Sequence, residues 1–253
     1  MGLMGRTESA SSVDDRCGLV CTPDAEAAAE LLADGDFTPD VIVIAQAYPG
    51  QFSHAAIDQL RRLAPLARVL GLMGSWCEGE MRSGQPWPAA IRVYWHQWPA
   101  RCGQELGRLA QGECPAWGLP VTASEEERLL AEADAPWPPR QGLVAIHARS
   151  FDVADMLAAA CRGCGYATVW LRPPRPARVA GVAAALFDGS DLRGPEGDQL
   201  QQLAAALRPA PVVALLDFPR VEDRDRAVSL GAAAVLSKPL HLGDLLWHLR
   251  LGE

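Results

Sequence analysis

The chain has 253 residues, with 23 Lys or Arg against 31 Asp or Glu for a formal charge of −8, and 49% of it is hydrophobic. That length suits two domains of about 100–150 residues, each with its own core, and the composition excludes wholesale disorder and fibrous or collagen-like structure. The acidic balance argues against nucleic acid as a partner, because phosphate contacts need a clustered basic face.

Residues 1–16 are polar, lack the apolar core of a signal peptide, and read as a disordered N-terminus. The longest apolar runs, such as 41–45 and 212–216, are strand-sized, so no membrane contact is expected. The seven cysteines, an odd number without an export pattern, read as reduced thiols in a cytoplasmic protein. From residue 17 to 114 short apolar runs alternate with helical patterns: strand 18–22 (GLVCT), helix 25–33, strand 40–45, helix 54–64, strands 68–73 and 91–95, and a helix near 101–111. This predicts a truncated α/β domain of about four strands, whose first strand–helix pair is missing or supplied from elsewhere.

Between its last two strands runs a Gly- and Pro-rich loop with Trp76, Trp87, Trp95 and Trp98, half of the eight tryptophans. If the strand ends at 73 and 95 are neighbours, Trp76, Cys77, Glu78, Glu80 and His96 converge at one sheet edge. Loops of this length are more often functional than idle. Four readings stand: an aromatic pocket or protein-binding patch, packing that replaces an absent helix, a metal site from Cys77, His96 and a glutamate, or a Cys77–His96 nucleophilic pair.

Residues 115–141 contain five prolines and five acids against two arginines, and read as an acidic linker with one short helix. Residues 142–253 then alternate strictly: strand 143–146, helix 152–162, strand 167–171, a short Arg-rich helix around 175–181, strand 183–187, helix 197–207, strand 212–216, helix 221–230, strand 233–236, and a last helix over 241–251. The rhythm predicts a parallel sheet covered on both faces, a (βα)5 unit. Cys161 and Cys164 form a CxxC closing the first of these helices and read as buried, inert thiols.

Ligands and chemistry in such sheets sit at the carboxyl ends of strands. There the sequence places Asp188, in AALFDGSD, and Lys238, the chain's only lysine, in AVLSKPL. On these residues the C-terminal half, about 110 residues, resembles the receiver domain of two-component response regulators. The resemblance implies a flavodoxin-like doubly wound fold, Asp188 as phosphoacceptor and Lys238 as the phosphate-contacting lysine. Departures are plain. His147, Ala148 and Arg149 stand where the family has Mg2+-binding acids, Asp191 is a poor substitute for them, and Leu216 replaces the Ser/Thr.

The N-terminal half resembles the same family more weakly. Ala45 takes the acceptor position, Met73 that of the Ser/Thr, and Trp95-His96 replaces Lys-Pro. The step from Ala45 to Met73 equals that from Asp188 to Leu216, and Asp-Gln-Leu recurs at 58–60 and 198–200, which points to a diverged tandem duplication.

Two flavodoxin-like doubly wound sheets, the first truncated, are therefore expected. They imply a non-enzymatic signalling or scaffold protein of pseudo-receiver domains, acting by phosphorylation-independent protein–protein contact without a cofactor. The leucine-rich last helix is a candidate dimer or partner surface. One alternative is an atypical response regulator of a phosphorelay, phosphorylated at Asp188 with Mg2+ and served by a histidine kinase. Another is a small-ligand module using the Trp76–Trp98 loop.

Overall fold

The computed structural model describes residues 18–120, 122–133, 139–173 and 179–252. The expected disordered segment 1–16 and most of the short helix around 175–181 lie outside them. The fold is mixed α/β with two parallel sheets, one of three strands and one of five. The described residues fall into two compact units that divide between Val93 and Tyr94, ahead of the expected boundary at 114.

The first unit contains helix α1 (Ala25–Ala33), strand β1 (Val41–Gln46), helix α2 (His54–Leu63), strand β2 (Arg68–Met73), a single turn α3 (Glu80–Ser83) and strand β3 (Ile91–Tyr94), which runs to the boundary. Asp24 starts α1 by accepting from the Ala27 amide, and Ser53 starts α2 by accepting from that of Ala56, each satisfying an orphan donor of a first turn. The strand order is β1-β2-β3. β2 lies in the middle, and its Val69, Leu70 and Met73 are buried with Ile57 and Leu60 of α2. β1 forms an edge and leaves Val41 and Val43 exposed. The strand expected over 18–22 is absent: these residues are exposed and carry no strand pairing. Their β-propensity has no partner to act on, and a lone apolar run does not hold strand geometry without one.

The second unit opens with helix α4 (Trp98–Ala110), followed by α5 (Glu125–Ala133), β4 (Leu143–His147), α6 (Phe151–Gly163), β5 (Ala167–Leu171), β6 (Val182–Asp188), α7 (Pro195–Ala206), β7 (Val212–Asp217), α8 (Val221–Ser229), β8 (Ala234–Lys238) and α9 (Leu242–His248). Strand order is β5-β4-β6-β7-β8. Alternation along each strand sends residues to opposite faces. Val144, Ile146, Leu186 and Leu215 pack with α6 and α9 on one side, while Ala145, Phe187, Ala214 and Leu216 pack with α7 and α8 on the other. Helices thus cover both faces, which parallel strands buried on each side require. Gly165 ends α6 at φ +94, where an added Cβ would run into the Arg140 carbonyl.

Helix α4, read from sequence as the close of the first half, packs instead on α9. Arg101 pairs with the buried Asp244 at 3.0 Å, Gln104 donates to the Gly243 carbonyl at 3.3 Å, and Gly103 lies against the Trp247 ring. The start of the expected linker joins them. The Trp117 amide donates to buried Glu105, the Trp117 ring stacks on Trp98, and Arg128 of α5 donates to the carbonyls of Ala116 and Pro120. The last helix therefore buries Leu245, Leu246 and Leu249 in this unit's core and shares its flank with α4, leaving Leu242 exposed. Among the described residues no helix is long and apolar enough to cross a membrane.

Three histidines of this unit are buried, His96, His147 and His248, and burial shifts His96 and His248 furthest. His96 stacks on Tyr94, and burial, with the charges of His241 and His248, lowers its pKa to about 4; burial lowers that of His248 to about 4 as well. Both take up a proton on unfolding once the pH is below about 6.5, so stability falls as pH drops from about 6.5 toward 4. The slope is up to about 1.4 kcal/mol per pH unit for each ring. Urea unfolding followed by circular dichroism at stepped pH is expected to show this loss, and His248→Leu to remove that ring's share of the slope, up to about 1.4 kcal/mol per pH unit.

Candidate functional site

The carboxyl ends of β6, β7 and β8 bring three charged side chains together. Asp188, Asp217 and Lys238 are the last residues of their strands, and the register sets Asp217 directly beside Lys238. The Lys238 ammonium donates to Asp188 Oδ1 at 2.7 Å and to the Gly189 carbonyl at 3.0 Å, and lies 3.1 Å from Asp217 Oδ1. Three acceptors match the three hydrogens of an ammonium group. Burial works to lower the lysine pKa, but the hydrogen bonds and charges of Asp188 and Asp217 outweigh it and the net shift is upward, so the amine stays charged and non-nucleophilic.

Asp217 is absent from the sequence reading, which stopped one residue short at Leu216. Leu216 itself is buried among apolar residues facing α7 and α8 and offers the site nothing polar. The missed signal was simple: VVALLD ends in an acid at a strand terminus, the same rule that singled out Asp188.

Around this triad the loop after β6 is closed by a second ion cluster. Glu196, in the first turn of α7, reaches back so that Oε2 accepts from the amides of Ser190 at 2.6 Å and Asp191 at 3.0 Å, and Arg149 lies 3.5 Å from Oε1. Asp191 accepts from the Arg193 amide at 2.9 Å and serves the turn. His147, at the end of β4, stacks on Phe187 with ring centroids 5.0 Å apart, and burial foremost lowers its pKa, which keeps it neutral.

These residues do not fit Mg2+, which needs several oxygens in octahedral array. Glu196 is held by two amides beside Arg149, Asp217 by Lys238, and Asp191 by its own turn, while Arg149 and Lys238 bring two positive charges to the strand ends. Among the described residues no group of three or more His, Cys, Asp or Glu side chains is arranged to hold a metal ion.

The tryptophan loop disperses its residues. Trp87 is buried edge-on to Phe52, Trp76 is exposed, and Trp95 and Trp98 belong to the second unit, as does His96. Cys77 and Glu80 do come together, but around two residues that sequence reasoning passed over. Gln46, the last residue of β1, donates to Glu80 Oε1 at 3.1 Å, and Arg92 of β3 donates to Glu80 Oε2 at 2.7 Å. The Cys77 thiol donates to the Gln46 carbonyl, and burial pushes its pKa up, as it does for Glu78. Gly74 lets this loop descend onto β1, since a Cβ there would sit 2.8 Å from the Ala47 carbonyl. A protonated, buried thiol is not an activated nucleophile. Nor is Cys161, whose pKa burial and neighbouring Cys164 push up to about 12.

No protein-family model matches the chain, and no curated protein does. Among solved structures it is similar to the receiver domain of Francisella response regulator 1452, at 13% identity and TM-score 0.36 over 44% of this chain and 95% of that one. It is also similar to a response regulator from Thermotoga maritima, at 16% identity and TM-score 0.38 over 45% and 98%. A CheY-like response regulator from Mesorhizobium loti matches at 20% identity and TM-score 0.36 over 45% and 100%.

The two carboxylates sharing Lys238 differ in exposure, 14% for the Asp188 side chain against 53% for Asp217. Screening by water makes the second contact weak. Double-mutant cycles with Lys238→Met are expected to give a coupling of about 1–2 kcal/mol with Asp188→Asn and below about 1 kcal/mol with Asp217→Asn, read from urea unfolding.

Proposed function

We propose that this chain is a non-enzymatic signalling or scaffold protein whose C-terminal unit is a pseudo-receiver, working by protein–protein contact and independently of phosphorylation. The observation that carries this reading is the Lys238 ammonium seated between Asp188 and Asp217, with no acid at the end of β4 to complete a metal site. In-line transfer of a phosphoryl group to a carboxylate builds negative charge that a divalent ion normally neutralises. Here the fixed cations are Lys238, already committed to three acceptors, and Arg149, beside Glu196.

The strand order, second strand outermost and then first, third, fourth and fifth, is that of flavodoxin-like doubly wound domains, and helices on both faces agree with it. The same plan, shortened to three strands and with Ala45 at the acceptor position, supports reading the first unit as a more degenerate relative of the second. In such a protein the strand ends serve as a fixed electrostatic staple, and recognition falls to outer surfaces. The partner class is another protein of a signalling assembly, a histidine kinase among them.

Incubation of the full chain with acetyl phosphate or beryllofluoride and Mg2+ is expected to leave intact mass unchanged and to leave amide resonances around Asp188 and Lys238 in place. A phosphoryl-sized mass gain abolished by Asp188→Ala would instead make the protein an atypical response regulator.

A further inference from the structure

At the ends of β6, β7 and β8 three oxygens converge on one point. Asp188 Oδ1, the Gly189 carbonyl and Asp217 Oδ1 lie 2.7, 3.0 and 3.1 Å from the Lys238 nitrogen. Carboxylate and carbonyl oxygens gathered in this way are the ligands that hard divalent cations take. The cation that stands among them is the ammonium of the chain's only lysine.

That ammonium arrives from two strands away. β7 lies between β6 and β8, so the Lys238 side chain passes the end of β7 to reach Asp188. Asp217, the last residue of β7 and the register partner of Lys238, holds the ammonium at the crossing. A second cation bound to Asp188 and the Gly189 carbonyl would touch the ammonium, and the two positive charges would repel where the Asp188 side chain, 14% exposed, is poorly reached by water. Without the ammonium, two carboxylates and a carbonyl would face one another uncompensated, and one divalent ion would match their charge.

We propose that the Lys238 ammonium, pinned by Asp217, is the resident cation of this site: it takes the place of a divalent ion on Asp188, Asp217 and the Gly189 carbonyl and keeps such ions out. The misfit of these strand ends to Mg2+ then has a cause, since their oxygens are committed to a charge that the chain itself carries. The proposal deepens the pseudo-receiver reading and rests on it. The two fail distinguishably: a phosphoryl-sized mass gain in wild type overturns that reading, whereas a Lys238 variant that takes up no cation overturns this proposal alone.

The probe is Mn2+, added to the full chain at constant ionic strength, with uptake read by loss of the free-ion electron paramagnetic resonance signal and located by amide line broadening. Wild type is expected to show no broadening at residues 188, 189 and 217 and the same thermal midpoint in EDTA and in Mn2+. Lys238→Ala is expected to take up the ion with broadening at those residues, and to unfold about 2–4 °C higher in Mn2+ than in EDTA. Adding Asp217→Asn is expected to abolish both effects. Broadening at 188, 189 and 217 in wild type overturns the proposal. So does a folded Lys238→Ala that takes up no Mn2+, or one whose uptake survives Asp217→Asn. Lys238→Met, an unbranched stem of similar length without the charge, is measured in parallel under the same expectations and keeps the test decisive should the alanine variant fail to fold.

Discussion

Three parallel strands that end side by side in Asp188, Asp217 and Lys238 face an electrostatic constraint that the rest of the second unit is arranged around. Two carboxylates at neighbouring strand ends repel, and the low dielectric of the sheet beneath them sharpens that repulsion. One ammonium between them resolves it, but only if β8 lies beside β7 in the register that puts Lys238 next to Asp217. The register is fixed in turn by which faces of β7 and β8 meet the helices, since a slip of one residue would turn Leu215 and Leu236 out of one core and Leu216 and Val235 out of the other. The ion triad and the apolar layers therefore specify the same alignment.

The first unit meets the same geometric demand with different chemistry. At the end of β1 stands neutral Gln46, and its amide, with Arg92 from β3, satisfies both oxygens of the buried Glu80. No charge remains for a lysine to neutralise. Where the second unit keeps an acid and a base at its strand ends, the first has an internal ion pair capped by an amide, sealed beneath Cys77 and the loop that Gly74 admits. Such an arrangement ties the loop after β2 to the ends of β1 and β3.

Much of the fold was legible because its signals are local. Helix 25–33 and strands 68–73 and 167–171 lie where the periodicity put them, and the other strands of the second unit agree within one or two residues. What escaped depends on contacts far apart in sequence. Nothing near residue 101 announces that its guanidinium will meet Asp244, so α4 was assigned to the wrong unit. The pairing of Gln46 with Glu80, and of Arg92 with both Glu80 and the Cys77 carbonyl, likewise exists only once the chain has doubled back. Strand 18–22 was over-read for the converse reason, since its composition is strand-like but its neighbour is missing. Glu196 escaped because a first-turn acid ordinarily reads as a response to the helix dipole, whereas here it reaches out of the helix to hold the preceding loop.

The contact of Arg101 with Asp244 also bears on how the chain is made. The two residues are separated by 143 positions, and 50 separate Asp188 from Lys238. During synthesis the helix that opens the second unit emerges long before the helix it packs on, and the carboxylate of Asp188 before its ammonium. Domains tend to fold as whole units as they leave the ribosome, and contacts of high sequence separation close last. The first unit, which ends at Val93, is free to close early. The second must wait for α9, so for most of its translation α4 has Trp117 to pack on but not the helix that meets Arg101 and Gly103.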